Sequence, residues 1–180
     1  LVDNRGAAQA AVERLFLAGH RKIGMIAGPE HVFTARERYL GYEEAFKKAG
    51  IEVQDSLVVH GDYTIAGGAR AMKELAKQNP QMTAVFVSNY EMTVGAMIES
   101  NEIGIRIPED LSVIGFDNIE FAKASNPKLS IVTQPTKEIG RNVAELILDR
   151  LDNPTREMPP KEMKLKTSFV EGKSVHMLSV

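Results

Sequence analysis

The sequence has no cysteine, so neither a disulfide framework nor a thiolate metal site is open to it. It has no uninterrupted run of about 18 apolar residues, the length a helix needs to cross a bilayer, and no membrane span is expected. It also lacks a basic surplus, with a formal net charge of -2. A self-sufficient DNA-binding module carries a basic face or stripe. The one basic cluster, His20-Arg21-Lys22, is too short to be either, so DNA is not expected to be bound by this segment. The first residues, Leu1-Val2-Asp3-Asn4-Arg5, lack the basic stretch and apolar core of a signal peptide. They also lack an initiating Met, and the chain reads as a fragment.

What is present is ordinary for a globular protein: 180 residues, 43% hydrophobic and 26% charged, enough to bury one substantial core. Helical and strand periodicities alternate. Residues 6–18 put Ala8, Ala11, Val12, Leu15 and Phe16 on one helical face, with Asp3 or Asn4 as cap and Gly19 as the left-handed stop. Ile23-Gly24-Met25-Ile26-Ala27 reads as a buried strand. A capping-box pattern, Thr34-Ala35-Arg36-Glu37, opens the next helix, which Gly50 stops. A strand over Leu57–His60 follows, then a helix with the stripe Ala66, Ala69, Met72, Leu75 and Ala76. Strand Ala84–Val87, helix 90–103 and strand Leu111–Phe116 continue the alternation. Short apolar strands separated by helices mean βαβ crossovers, hence a doubly wound parallel α/β sheet with flanking helices.

Beyond Asp117 the regularity changes. A short polar segment leads to Ser130-Ile131-Val132-Thr133, and a helix over 136–152 carries Ile139, Val143, Leu146, Ile147 and Leu151. A loop bounded by Asn153-Pro154 and Pro159-Pro160 precedes a last strand around Leu165–Val170. No internal repeat, low-complexity tract or flexible linker is visible.

In open parallel sheets ligands bind outside the carboxyl ends of the strands. That edge is loaded here: Arg38 in the helix after the first strand, Tyr63 past the second, Asn89 past the third, Asp117 past the fourth. A guanidinium fork and a carboxylate suit vicinal hydroxyls, and an aromatic face suits the apolar side of a sugar ring. Each residue also has a plainer role open to it. Asn89 can be only a helix cap, Asp117 an Asx turn, Arg38 a structural ion pair and Tyr63 a half-buried loop aromatic. No catalytic set emerges. Gly172-Lys173-Ser174 lacks the leading glycine of a phosphate loop, Ser88 lacks the flanking glycines of a nucleophile elbow, and the histidines at 20, 31, 60 and 176 have no metal-ligand spacing. Met92 and Met97 read as packing residues. Neither cofactor nor metal is expected.

Several ordered motifs carry a resemblance. They are Asp3-Asn4-Arg5-Gly6-Ala7, Gly19-His20-Arg21-Lys22-Ile23 with Gly28-Pro29, Arg38-Tyr39-Leu40-Gly41-Tyr42, and Gly61-Asp62-Tyr63. Pro108 through Asn118 is the most specific block, and Pro127, Leu129, Ser130, Val132, Gln134-Pro135 and Gly140 complete the order. Nearly the whole chain thereby resembles the C-terminal effector-binding portion of LacI/GalR transcription regulators, built on the periplasmic-binding-protein fold. The resemblance implies that Arg38, Tyr63, Asn89 and Asp117 contact a small effector, a sugar or related metabolite, and it extends to Gln134 at a crossover between subdomains. One departure stands out: Tyr90 occupies the place of the family's usual Asp.

The resemblance also implies what lies elsewhere: a helix-turn-helix headpiece for operator DNA, a hinge and most of a first subdomain. Residues 1–131 would form one subdomain, 132–162 the crossover and a helix belonging to the other, and 163–180 the return and final strand. The stripe on helix 136–152 would then lack its native partners and invite dimerisation or non-native docking. A homodimer using helix 90–103 and a cytoplasmic location are further implications. A periplasmic sugar receptor of a transport system shares the fold and is the alternative, and a small α/β enzyme is the third class.

Overall fold

The computed structural model describes residues 1–152, 159 and 163–178. Within them the order is α1 (Asn4–Leu17), β1 (Ile23–Ala27), α2 (Phe33–Ala49), β2 (Val58–His60), α3 (Ile65–Gln78) and β3 (Ala84–Val87). There follow α4 (Tyr90–Glu102), β4 (Ser112–Phe116), α5 (Ile119–Ala124), β5 (Ser130–Thr133), α6 (Thr136–Asp152) and β6 (Ser168–Val170). One sheet runs β2-β1-β3-β4-β5-β6, parallel through its first five strands, with β6 added antiparallel to β5. The chain winds outward from β1 to β2, then returns to place β3 on the other side of β1. In such sheets the carboxyl ends of the strands on either side of that reversal, here β1 and β3, are the expected ligand position.

Strands covered on both faces divide their side chains between two cores. Met25, Phe86, Ile114 and Phe116 pack with Leu15 of α1 and Tyr42 and Phe46 of α2. Ile26, Val85, Val87, Val113 and Ile131 pack with Met72 and Leu75 of α3 and Met92 of α4. Tyr42 is wholly buried, and its hydroxyl donates to the Ile23 carbonyl at 2.7 Å, so a polar tip enters the core satisfied.

Local signals set most boundaries. Asp3 caps α1 through the Gly6 N–H at 3.1 Å, and Thr64 caps α3 through Gly67 at 2.9 Å. Gly50 ends α2 in the left-handed conformation, and Gly19 has φ +92 just past α1. Four expectations are corrected. Thr34 does not open α2: Val32 holds the cap position with no side-chain cap, and Thr34 lies one residue inside the helix. On α3 the buried face is Gly67, Gly68, Ala71, Met72 and Leu75, while Ala66 is exposed, because Gly68 lets the backbone of the neighbouring α4 approach at Met92. Position 57 belongs to a 3-10 turn, Asp55–Leu57, rather than to β2. The polar segment after Asp117 contains a helix, α5, capped by the Asn118 side chain on the Phe121 N–H at 3.0 Å.

The last strand is shorter than expected, and Leu165 makes an isolated bridge with Val2 instead. The loop expected between Asn153 and Pro160 lies almost wholly outside the described residues. No residue of α6 is buried.

Candidate functional site

Arg38 is the most constrained of the five candidates. It sits in the second turn of α2, and only 5% of its surface is exposed. Its Nε donates to Asn4 Oδ1 at 2.8 Å, Nη1 donates to the Ser88 carbonyl, and the guanidinium lies 3.7 Å over the Phe116 ring. A cation early in a helix opposes the macrodipole, and the ring face with two oxygen acceptors offsets that. Burial pulls the guanidinium below its ordinary pKa, while Asp117 and Tyr63 pull the other way. The charge persists, since guanidinium does not deprotonate in proteins. The ion-pair role is not what holds it: its hydrogen-bond partners are an amide and a carbonyl. Among the described residues Nη2 has no hydrogen-bond partner, so its donors are not taken up by the fold.

Tyr63 and Asp117 hold backbone conformations that side chains rarely adopt, with φ 64 and φ 67. A bulky residue with positive φ is strained, and such strain concentrates at ligand clamps. Tyr63 lies across the end of β1. A Cβ on Gly28 would stand 2.3 Å from the ring, so glycine is what lets the ring approach. Its hydroxyl is 3.5 Å from Thr34 Oγ1.

Asp117 is anchored by its own N–H on the Val132 carbonyl at 2.7 Å. Gln134 Nε2 donates to both carboxylate oxygens, at 2.9 and 2.8 Å. Burial raises the carboxyl above its ordinary pKa, with Gln134 and Arg38 opposing. Among the described residues the half-buried carboxylate takes its side-chain hydrogen bonds from the Gln134 amide and forms no salt bridge with Arg38. Asn89 caps α4 through the Met92 N–H at 3.1 Å, so its cap role is real. That bond uses Oδ1 and leaves the amide nitrogen without a partner among the described residues.

The structure thus brings Arg38, Asp117 and Gln134 together, sets Tyr63 within electrostatic reach of Arg38, and hangs Asn89 one residue beyond the carbonyl that Arg38 grips. The reading by residue type overlooked the supports. Asn4 is 5% exposed and fixes Arg38, and Ser88 is fully buried with an Oγ that has no hydrogen bond among the described residues. Strand alternation was the available signal for Ser88: it follows Phe86 by two and so falls on the α1–α2 side of the sheet.

Other singled-out groups are structural. Ser174 Oγ accepts from the Ser130 N–H at 2.8 Å and donates to the Val113 carbonyl at 2.6 Å, tying the chain end to β4 and β5. His20 is buried between Thr83 Oγ1 at 2.9 Å and the His176 carbonyl at 3.1 Å. Among the described residues no three His, Asp or Glu side chains are grouped to hold a metal, and no helix is long and apolar enough to cross a membrane.

The family described as a periplasmic binding protein-like domain matches residues 12–175. The chain is 38% identical to the HTH-type transcriptional regulator CelR of Thermobifida fusca, over 96% of this chain and 50% of that protein. It is 40% identical to the HTH-type transcriptional repressor CytR of Escherichia coli K12, over 83% of this chain and 44% of the repressor. Among solved structures, a CelR–cellobiose complex superposes with a TM-score of 0.90 at 38% identity, covering 96% of this chain and 52% of that one. A LacI family regulator from Enterococcus faecium with bound ribose superposes at 0.87 and 28% identity, covering 99% and 65%. The chain spans about half the length of the curated relatives it matches. It belongs to the periplasmic binding protein-like domain family, and it corresponds to the C-terminal effector-domain portion of LacI-family transcription regulators.

Proposed function

We propose that this chain is one jaw of the effector site of a transcription regulator that responds to a small polyhydroxylated metabolite. The observation that carries this is the strand-end cluster: the Arg38 guanidinium lies over the ring of Phe116, the residue before Asp117, and Gln134 donates to both oxygens of the Asp117 carboxylate. In this reading the Asp117 carboxylate accepts from adjacent hydroxyls of the ligand, Arg38 donates to them, and Asn89 offers its amide N–H. Tyr63 covers the apolar face of the ring. Gln134, which donates to both carboxylate oxygens, would yield at least one of them to a ligand hydroxyl.

The division at residues 1–131, 132–162 and 163–180 belongs to the same proposal, with α6 part of a second jaw contributed by further chain. Closing the two jaws would reset attached DNA-binding segments, provided the ligand favours one state over the other. Operator DNA would be met by those segments and not by this one. Two copies would pair through the face carrying α4. The relatives named above are regulators, which favours this reading over a transport receptor.

Calorimetry on the longest natural open reading frame carrying this chain tests it, using glucose, ribose, cellobiose and adenosine as probes. Asp117→Ala is expected to weaken the best probe at least about tenfold, since a charged hydrogen bond contributes about 1.5–3 kcal/mol. Unchanged affinity would defeat the assignment.

A further inference from the structure

Arg38 is tied to a residue outside its own helix. Asn4 opens α1 directly after residues 1–3 and is only 5% exposed. Its side-chain amide is used at both ends: Oδ1 accepts from Arg38 Nε at 2.8 Å, and Nδ2 donates to the Val2 carbonyl at 3.2 Å. A guanidinium only donates, so the amide can face it one way round. Residues 1–3 are in turn laced to the segment that precedes β6. Val2 bridges Leu165, the Asp3 N–H donates to the Leu165 carbonyl at 3.0 Å, and the Leu165 N–H donates to the Leu1 carbonyl at 2.8 Å. The same segment runs on to Ser168, which pairs with Thr133 of β5 and accepts from its hydroxyl at 3.3 Å. Gln134 follows Thr133 and holds the Asp117 carboxylate. A continuous path of hydrogen bonds and backbone therefore runs from Arg38 through Asn4, residues 1–3, residues 165–168 and Thr133 to Gln134 and Asp117.

We propose that Asn4 couples occupancy at Arg38 to the laced segments 1–4 and 163–168. Asn4 is not needed as a helix cap, because Asp3 already caps α1 on the Gly6 N–H. Nor is it the sole hold on Arg38, which also has the Ser88 carbonyl and the Phe116 ring. What Asn4 adds to both is the link between them. A ligand that takes up donors of Arg38 restricts the guanidinium, and through Nε it restricts Asn4 and the Val2 carbonyl behind it. The bonds between residues 1–3 and Leu165 form one isolated bridge outside the regular sheet. Such bonds belong to the low-stability end of a structure, where a small restraint changes how often they open. This rests on the proposed effector site and deepens it, by naming the residue that passes its occupancy on.

Amide hydrogen exchange at Asp3 and Leu165 in the full-length protein tests the coupling. Without ligand, Asn4→Ser, whose hydroxyl is one bond too short to meet Nε, is expected to raise exchange at both amides at least about threefold, the scale of one hydrogen bond. Arg38→Met removes the donor from the other side and should give the same rise. The double variant should exchange no faster than either single one, because one link is broken twice. Unchanged exchange in Asn4→Ser overturns the proposal, and so do effects that multiply in the double variant. Asn4→Ser leaves Arg38 on Ser88 and Phe116, so its comparison with the wild type stands even where Arg38→Met does not fold. Saturation with the tightest of glucose, ribose, cellobiose and adenosine should slow exchange at Asp3 and Leu165 at least about threefold beyond any slowing in β1. Asn4→Ser should abolish that extra protection. Equal extra protection in both proteins, or none in the wild type, overturns the coupling, while calorimetry on Asp117→Ala decides the effector reading separately. If no probe binds at millimolar concentration, both proposals fall.

Discussion

Burial disfavours the charged form of the Asp117 carboxyl and raises its pKa, although Gln134 and Arg38 oppose the shift. A carboxyl whose folded pKa is raised binds its proton more tightly in the folded state than in the unfolded one. Its contribution to stability therefore falls as pH rises through the carboxylate range, and once ionised the group detracts from folding. Asp117→Asn keeps an acceptor for Gln134 and removes the charge. It is expected to raise the melting temperature of the ligand-free protein while lowering ligand affinity, the trade expected where function needs an uncomfortable group. Thermal melts with and without ligand check both halves, and a lower ligand-free melting temperature would contradict the account.

His20 behaves in the opposite sense. Burial lowers its pKa below the ordinary histidine value of about 6.5, so the folded state resists a proton that the unfolded chain accepts. Stability is complete above the unfolded value and declines as pH falls below about 6.5, where the unfolded chain alone takes up the proton. Denaturant midpoints measured between neutral pH and the onset of carboxylate titration should fall for the wild type. They should fall less for His20→Gln, whose amide can still reach Thr83 or the His176 carbonyl.

Among the elements, α3 and α4 owe their closeness to what they lack. A Cβ on Gly95 would stand 1.9 Å from the Ile65 carbonyl oxygen, and one on Gly68 2.3 Å from the Met92 carbonyl oxygen. Both obstacles are backbone, so neither can swing aside. Gly95→Ala must push the helices apart and is expected to destabilise by about 1–3 kcal/mol despite alanine's better helix propensity, a loss read from denaturant unfolding.

This contact also shows where sequence reading stopped. Strands such as Ile23–Ala27 and Ala84–Val87 were legible because continuous short apolar runs between helices have one economical arrangement. The start of α2 was misread: Thr34 and Glu37 form the right pattern, yet Thr34 sits inside the helix and Glu37 pairs with Arg5 at 3.0 Å. A tertiary ion pair had used the residue that the local motif needed. α5 was missed because its six residues carry too little periodicity to register, although Asn118 was a readable cap. The candidate residues themselves were legible from strand ends. Their supports, Asn4 and Ser88, were not, because they come together only when α1 and β3 pack against α2.

At the scale of the whole molecule, α6 is out of keeping with the rest. Val143, Ile147, Leu148 and Leu151 are 50%, 53%, 58% and 68% exposed, a stripe at helical spacing with no cover among the described residues. The chain spans about half of its curated relatives, and the proposal assigns this stripe to a second jaw. The isolated 180-residue chain is therefore expected to self-associate as concentration rises, and Ile147→Glu with Leu151→Glu should reduce that association in sedimentation experiments. In the full-length protein the same substitutions should instead lower stability, because there they would place charges in a buried face.

In the proposed function, an effector is read at the sheet edge bearing Arg38 and Asp117. The most direct measurement is a crystal structure of the full-length protein with whichever probe raises its melting temperature most. Ligand hydroxyls are expected within about 3.2 Å of both the Asp117 carboxylate and the Arg38 guanidinium, with Gln134 drawn away from at least one carboxylate oxygen. A ligand bound elsewhere, with the Asp117–Gln134 contact intact, would contradict it.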